Sequence, residues 1–332
     1  MKYVVLAFIL SSTFLCFSQE GVKVDFKVKN YPEFSSFKNL SIRIKNDFES
    51  DSERVRAAFT WIVSNITYDE SLDTFFAPKP NIVYLSERGR NHEMRKNADK
   101  RIETAFRLKK GTCVEYSLLF HKLCLDFGIE TQLIRGIAKT EIRNFKGEQL
   151  FKNHSWNAIK LHGEWQFIDT TWASAYLTAN SKNIVPQNAE HYFLTPPTSF
   201  IKTHFPKNSD WQLVTPIVDV GSFLNAPIFY PSYFTCGMSL ASNMNGWLRI
   251  SPNNEFLIRF ERFPRKKNTS FWVSETSELK KIKLKKTGNN EYILKSKLNK
   301  KLQDKKDLVL IWDNKPILAF KIQKDNSISR IK

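Results

Sequence analysis

The sequence predicts an α+β fold in two parts, and three observations predict it. Apolar residues recur at helical spacing in two segments ahead of residue 128. Strand patterns follow directly, two of them joined around His162-Gly163. From about Pro216 only short β-rich runs remain, separated by Asn, Gly and Lys turns, a spacing that reads as a β-sandwich-like domain.

At 332 residues the chain is long enough for two domains with separate cores. It opens Met1-Lys2, continues as an uncharged apolar run from Tyr3 to Phe17, and reaches Ser18-Gln19-Glu20. A basic start, an apolar stretch and a small residue at a cleavage point are the marks of a signal peptide, expected over residues 1–18. The run is about 15 residues, shorter than the roughly 20 that cross a bilayer as a helix. An exported chain with no transmembrane segment after processing is expected, located in the periplasm, on the cell surface or outside the cell.

Residues 19–50 are weakly patterned and read as a strand-bearing lead-in. A first domain is expected over residues 51–215. It begins with a helix from Asp51 to Asn65, N-capped by Asp51 or Ser52. Residues 70–100 are polar and rich in Asn and Arg, and read as a long loop with at most a short helix. Arg101–Leu108 reads as a brief helix or turn. A central buried helix runs from Thr112 to Phe127, closed by Gly128 as its C-cap. Strands are expected over Glu130–Ala138, His154–Leu161 and Glu164–Thr170. The proline-rich stretch to Pro216 reads as a connector. A basic β-rich domain is expected over residues 216–332, with runs at Pro227–Phe234, Gly246–Ile250, Glu255–Phe260, Ser270–Ser274, Lys280–Leu284, Tyr292–Lys295, Leu308–Trp312 and Ile317–Ile322. Lys280-Lys281-x-Lys283-x-Lys285-Lys286 reads as one solvated strand face.

Hydrophobic content of 42% and charged content of 25% exclude wholesale disorder. The formal net charge is +18, and most of the excess lies after Pro216. No helix-turn-helix, zinc or ribonucleoprotein pattern accompanies it, so nucleic acid is not the expected partner. A solvated basic surface with no specific partner is the first reading, and an anionic envelope polymer is the specific partner that the basic domain would fit. Processing leaves Cys113, Cys124 and Cys236, an odd number and too few for a disulfide scaffold. Cys113 and Cys124 stand eleven residues apart on one helix, about 16 Å, beyond disulfide reach. There is no Cys-x-x-Cys, no His-Glu-x-x-His and no acidic calcium loop, so neither a metal nor another cofactor is expected.

Three short islands carry the chemistry. They are Lys109-Lys110-Gly111-Thr112-Cys113-Val114-Glu115-Tyr116, Asn153-His154-Ser155-Trp156-Asn157 and Trp165-Gln166-Phe167-Ile168-Asp169-Thr170-Thr171-Trp172. Together they supply a nucleophile, a base and an orienter, the parts that thiol acyl transfer requires. The thiolate is the nucleophile, and a helix N-terminus beside an imidazolium favours it. If the hairpin turns between His162 and Gly163, paired residue numbers sum to 325. His154 and Asp169 then share a face as diagonal neighbours, within reach of one hydrogen bond.

At these residues the chain resembles the transglutaminase-like superfamily, whose papain-like fold uses a Cys–His–Asp triad in this order. The motifs are Gly-x-Cys with a following Tyr, His-x-Trp-Asn, and Asp-x-Thr-Trp. Trp61-Ile62-Val63-Ser64-Asn65-Ile66-Thr67-Tyr68-Asp69 also fits. Downstream, His191-Tyr192-Phe193-Leu194-Thr195-Pro196-Pro197, His204-Phe205-Pro206 and Trp211-Gln212-Leu213 resemble the kyphoscoliosis-peptidase-type branch. The resemblance covers about residues 50–215. It implies Cys113 as nucleophile, His154 as base and Asp169 as orienter. The implied enzyme is a cysteine peptidase or amide acyl transferase acting on proteins or peptides through a thioester. Glu115 departs from the pattern, because relatives often carry glycine there. The branch also holds scaffold members, so a catalytically idle platform or binding protein is the alternative. His191 and His204 are expected to be structural.

Overall fold

The computed structural model describes residues 21–69, 71, 86–143, 153–178, 189–264, 269–273, 276–281, 283–287, 291–298 and 306–324. The expected signal peptide lies outside them. No helix among the described residues is long and apolar enough to cross a membrane. The chain forms two compact units, one of Met1–Gly136 with Asn153–Pro197, the other of Ile137–Lys152 with Thr198–Lys332. The split at Pro197–Thr198 lies ahead of the change in texture near Pro216.

The lead-in is helical, not strand-bearing. Residues 21–29 form α1, and Phe37–Asp47 form α2. Val24 and Val28 sit four apart on one turn, and Phe37, Leu40, Ser41 and Ile44 fall at helical spacing; all six are buried. Asp51–Asn65 forms α3 as expected, but its N-cap is Ser50, one residue earlier, in a capping box with Glu53. Arg56 ties α1 to α3. It donates to both carboxylate oxygens of Asp25, at 2.7 and 2.6 Å, and to Glu190 at 2.6 Å.

Much of the expected loop over 70–100 is helix. Glu87–Leu108 forms the 22-residue α4, in which only Ile102, Ala105 and Phe106 are buried. Its first half shows no apolar face, which is why the sequence reads as loop there. Lys109 ends it in the left-handed region at φ 52°, and Lys110–Gly111 (β2) pairs in parallel with Thr67–Tyr68 (β1).

Cys113–Phe127 forms α5, with Thr112 as N-cap and Gly128 at φ 82° as C-cap. Only glycine takes that φ without cost, so the helix stops where its sequence says it should. Tyr116, Leu119, Phe120, Leu123 and Cys124 are fully enclosed among residues of α2, α3 and α4. Each such Leu or Phe contributes roughly 1.5–3 kcal/mol by leaving water. Leu125 is the exception on this helix and is half exposed. Thr131–Ala138 (β3), His154–Leu161 (β4) and Glu164–Ile168 (β5) form an antiparallel run in the order β5-β4-β3. The β4–β5 register is Asn157↔Ile168 through Leu161↔Glu164, so every pair sums to the expected 325. His162 and Gly163, both at positive φ, make the two-residue turn. Thr170–Thr178 forms α6, so β5 ends at Ile168 and not at Thr170.

The second unit is β-rich and includes the short strand His204–Pro206 (β6). One sheet has the order Lys283–Lys286 (β13), Tyr292–Lys297 (β14), Glu255–Arg262 (β10) and Ser239–Leu240 (β8). The other has the order Thr276–Lys281 (β12), Thr269–Val273 (β11), Asp307–Trp312 (β15), Lys315–Lys324 (β16) and Ile228–Phe229 (β7), with Trp247–Ile250 (β9) beside β16. Phe256, Ile258, Phe260 and Leu294 of the first sheet share one core with Leu308, Leu310, Leu318 and Phe320 of the second. The strand expected over Pro227–Phe234 breaks at Tyr230. Pro231, with its fixed φ and missing N–H, starts the short helix Pro231–Thr235. The lysine run over 280–286 is split between β12 and β13 and is not one strand; Lys285 and Lys286 are exposed.

Candidate active site

Cys113 is the first residue of α5, and the sequence just before it fixes where that helix starts. The Thr112 hydroxyl accepts from the Val114 N–H, while Glu115 accepts from the Thr112 N–H at 2.8 Å and from its hydroxyl at 2.6 Å. This reciprocal cap takes up N–H groups of Val114 and Glu115. The N–H of Cys113 is the first-turn donor left outside it. Arg101, from α4, donates to the Glu115 carboxylate from behind the cap. Glu115, the residue that departs from the family pattern, is therefore a structural member of the helix start. Gly111 is required there by close approach: a methyl group on it would fall 2.5 Å from Glu115 Cβ.

His154 opens β4 and is buried, and its Nε2 lies 2.7 Å from Asp169 Oδ2. Asp169 comes one residue after β5 and caps α6. Its Oδ1 accepts the Trp172 N–H at 3.0 Å, and its own N–H donates to Tyr192 O at 3.0 Å. Both carboxylate oxygens are thus engaged, one by the cap and one by the imidazole. The expected diagonal pairing on one strand pair becomes a strand-to-cap pairing, and the two side chains still meet. The Cys113 sulfur is among the groups that favour the charged form of His154. With Nε2 turned to Asp169, Nδ1 is the ring nitrogen left for the sulfur.

Burial works against a charged imidazole at His154. The Asp169 carboxylate, by charge and by hydrogen bond, and then the Cys113 sulfur outweigh it and raise the His154 pKa above its ordinary 6.5. Two indoles flank the ring, Trp156 at 6.1 Å and Trp172 at 5.7 Å between centroids. His154 and Asp169 are both of metal-ligand type, but their facing atoms are spent on each other. Cys124 is enclosed in the core, where burial pushes its thiol pKa up, the setting of an inert cysteine.

Two supporting contacts carry no cue in spacing. Arg101 stands fourteen residues from Glu115 in the chain, and nothing in the sequence pairs them. Asn157 donates to Ser117 O at 3.1 Å, and the Ser117 hydroxyl donates to Cys113 O at 2.8 Å, which straps β4 to the first turn of α5. Asn157 was visible inside the His-x-Trp-Asn island; its partner was not. His191 packs its ring on Tyr192. In the second unit, His204 stacks on Phe200 at 4.0 Å and shares a hydrogen bond with the Thr203 hydroxyl.

Residues 38–170 match the family model of the transglutaminase-like superfamily, a span that holds Cys113, His154 and Asp169. The chain carries a transglutaminase-like domain. Mouse kyphoscoliosis peptidase is 29% identical over 231 residues, 68% of this chain and 32% of that protein. Its human counterpart is 28% identical over 235 residues, 70% of this chain and 32% of that one. This chain therefore spans about a third of the length of these relatives. A crystal structure of a TGase aligns at 15% identity over 55% of this chain and 37% of that one, with a TM-score of 0.26, too low to bear on the fold. The transglutaminase-like resemblance, named from the three islands, and its kyphoscoliosis-peptidase branch, named from the segments downstream of them, are borne out.

Proposed function

We propose that this transglutaminase-like protein is an exported thiol enzyme acting on amide bonds of proteins or peptides. Cys113 is the nucleophile, His154 the general base and Asp169 the orienter. The observation that carries the reading is the buried 2.7 Å His154–Asp169 bond, with Cys113, at the start of α5, among the groups that raise the His154 pKa. In the first step His154 takes the Cys113 proton, and the sulfur forms a bond to the amide carbonyl carbon. The Cys113 N–H, outside the cap, is placed to donate to the oxygen that becomes negative. Asp169 holds the imidazolium by its Nε2–H. Collapse breaks the C–N bond, and His154 returns its proton to the leaving amine. Water or a second amine, deprotonated by His154, then attacks the thioester and restores the thiol. Water makes the protein a peptidase, and an amine makes it an acyl transferase.

The test is alkylation of Cys113 by iodoacetamide across pH. An ion-paired thiol reacts rapidly at pH 5–6 and loses that reactivity in His154→Ala. A profile following an ordinary thiol, about pKa 8.5, in both proteins would replace the enzyme by an idle platform. Incubation with casein and a labelled amine separates peptide release from amine incorporation. N-terminal sequencing tests export: a start after Ser18 is expected, and retained Met1 would refute it.

A further inference from the structure

One face of α4 presents Lys100, Glu103 and Arg107, at i, i+3 and i+7, to a cleft of about 330 Å³ in the first unit. Glu33 and Lys109 line the same cleft, so five charged residues border it. Among the described residues none of the five enters an ion pair or a side-chain hydrogen bond. Phe34 and Phe106 give the cleft an apolar wall.

Lys109 is the unusual member. Its Nζ lies 4.2 Å from the Phe106 ring centroid and 4.6 Å from that of Trp61, and these two rings stack on each other. Ring faces attract an ammonium, but they offer its N–H groups no oxygen. Burial lowers the Lys109 pKa, against the opposing pull of Glu33. The root of the side chain is fixed, because the Lys109 carbonyl accepts the Thr67 N–H at 2.9 Å. A partly desolvated ammonium without an acceptor gains most from an anionic oxygen. A simple anion would face Glu33 and Glu103, and a simple cation would face three positive side chains. A ligand with both signs meets neither repulsion.

We propose that this cleft binds a small zwitterion, an α-amino acid or dipeptide, with its carboxylate at Lys109 and Arg107 and its ammonium at Glu33 and Glu103. The apolar side chain of the ligand would lie on Phe34 and Phe106. The volume is at the low end of small-molecule sites, the right scale for one or two residues. Amide hydrolysis releases molecules of this class, but the binding stands independently of that reaction.

Isothermal titration calorimetry on the full chain carrying Cys113→Ala tests it without turnover. The probes are phenylalanine, Ala-Phe, N-acetyl-Ala-Phe and Ala-Phe amide. Saturable binding of phenylalanine or Ala-Phe is expected, and which of the two binds tells a free amino acid from a peptide. Each blocked dipeptide should bind about tenfold more weakly or worse, the loss of one charge-assisted contact, and so should every probe to Lys109→Met. Glu103→Gln, on an exposed helix face, should weaken only the probes with a free amine, and it serves if Lys109→Met does not fold. No saturable heat, equal affinity for blocked and free forms, or unchanged binding in both variants would overturn the proposal. That failure would leave the Cys113 alkylation profile untouched, so it is distinguishable from failure of the thiol-enzyme reading.

Discussion

Gly111→Ala is the most revealing single change near the site, because it adds one methyl where there is no room for it. The new Cβ would stand 2.5 Å from Glu115 Cβ and 3.1 Å from Cγ. The Glu115 stem cannot retreat freely, since its carboxylate holds Thr112 and Arg101. Overpacking of this kind costs about 1–3 kcal/mol, and a lost cap adds about 1 kcal/mol. A total of roughly 2–4 kcal/mol lowers the melting temperature of a unit of this size by about 5–15 °C. Thermal unfolding followed by circular dichroism measures it. The companion variant is Glu115→Gly, which removes the clashing Cβ. In that background Gly111→Ala should cost at least about 1 kcal/mol less, the signature of coupled neighbours. A Gly111→Ala protein within about 0.5 kcal/mol of the parent, or an equal cost in both backgrounds, would refute the close-approach argument.

Two titrations pull in opposite directions. The raised His154 pKa means its charged form stabilises the fold below pH 6.5, and that contribution is lost as pH rises through the folded value. Urea unfolding of His154→Gln should therefore lack part of the alkaline decline seen in the parent, and an unchanged slope would count against a charged imidazole. Lys139 has the other sign. Its buried ammonium donates to Leu224 O at 2.9 Å and to Phe223 O, and burial lowers its pKa from 10.5 to about 7 despite Glu141. Between those values the unfolded chain binds the extra proton, so this group makes stability rise with pH, and Lys139→Gln should flatten that rise. Arg56→Met takes the guanidinium from Glu190 and from Asp25, which keeps the Thr60 hydroxyl, and should cost about 2 kcal/mol in urea unfolding, less than a fully buried pair because all three charged groups touch solvent. Hydrogen exchange should show residues 21–29 opening first, and unchanged protection there would mean that Val24 and Val28 alone hold α1.

What the sequence made legible follows from which forces are local. The β4–β5 register could be read because a two-residue turn and the alternation of side chains fix it together, and His162-Gly163 adopts the positive φ values that turn needs. The limits of α5 could be read because Thr112 and Gly128 act within one turn of the helix they bound. The long α4 could not, since its buried side is only Ile102, Ala105 and Phe106 and the rest is charged. The lead-in misread had a different cause: Lys and Asn interleaved with Val24, Val28, Leu40 and Ile44 hid a four-residue spacing that the packing obeys.

Asp169 shows where local reading fails and why the site survived the error. Glu164–Thr170 reads as strand because β-branched and aromatic residues favour a pleated surface. An aspartate can also accept the N–H three residues on and start a helix, and here the Trp172 N–H at 3.0 Å decides it. On a continued strand, pleat geometry would aim the carboxylate, leaving it free to turn about its own bonds. As a cap, one oxygen is pinned by α6 and the other is presented to His154, so orientation comes from the fold itself. The same logic holds at Cys113, whose position is set by Thr112, Glu115 and Arg101. Cys113 and Asp169 each sit at a helix start, and the imidazole bonded to the Asp169 carboxylate opens a strand. That arrangement lets three residues far apart in sequence hold one geometry without relying on any of their own side-chain rotamers alone.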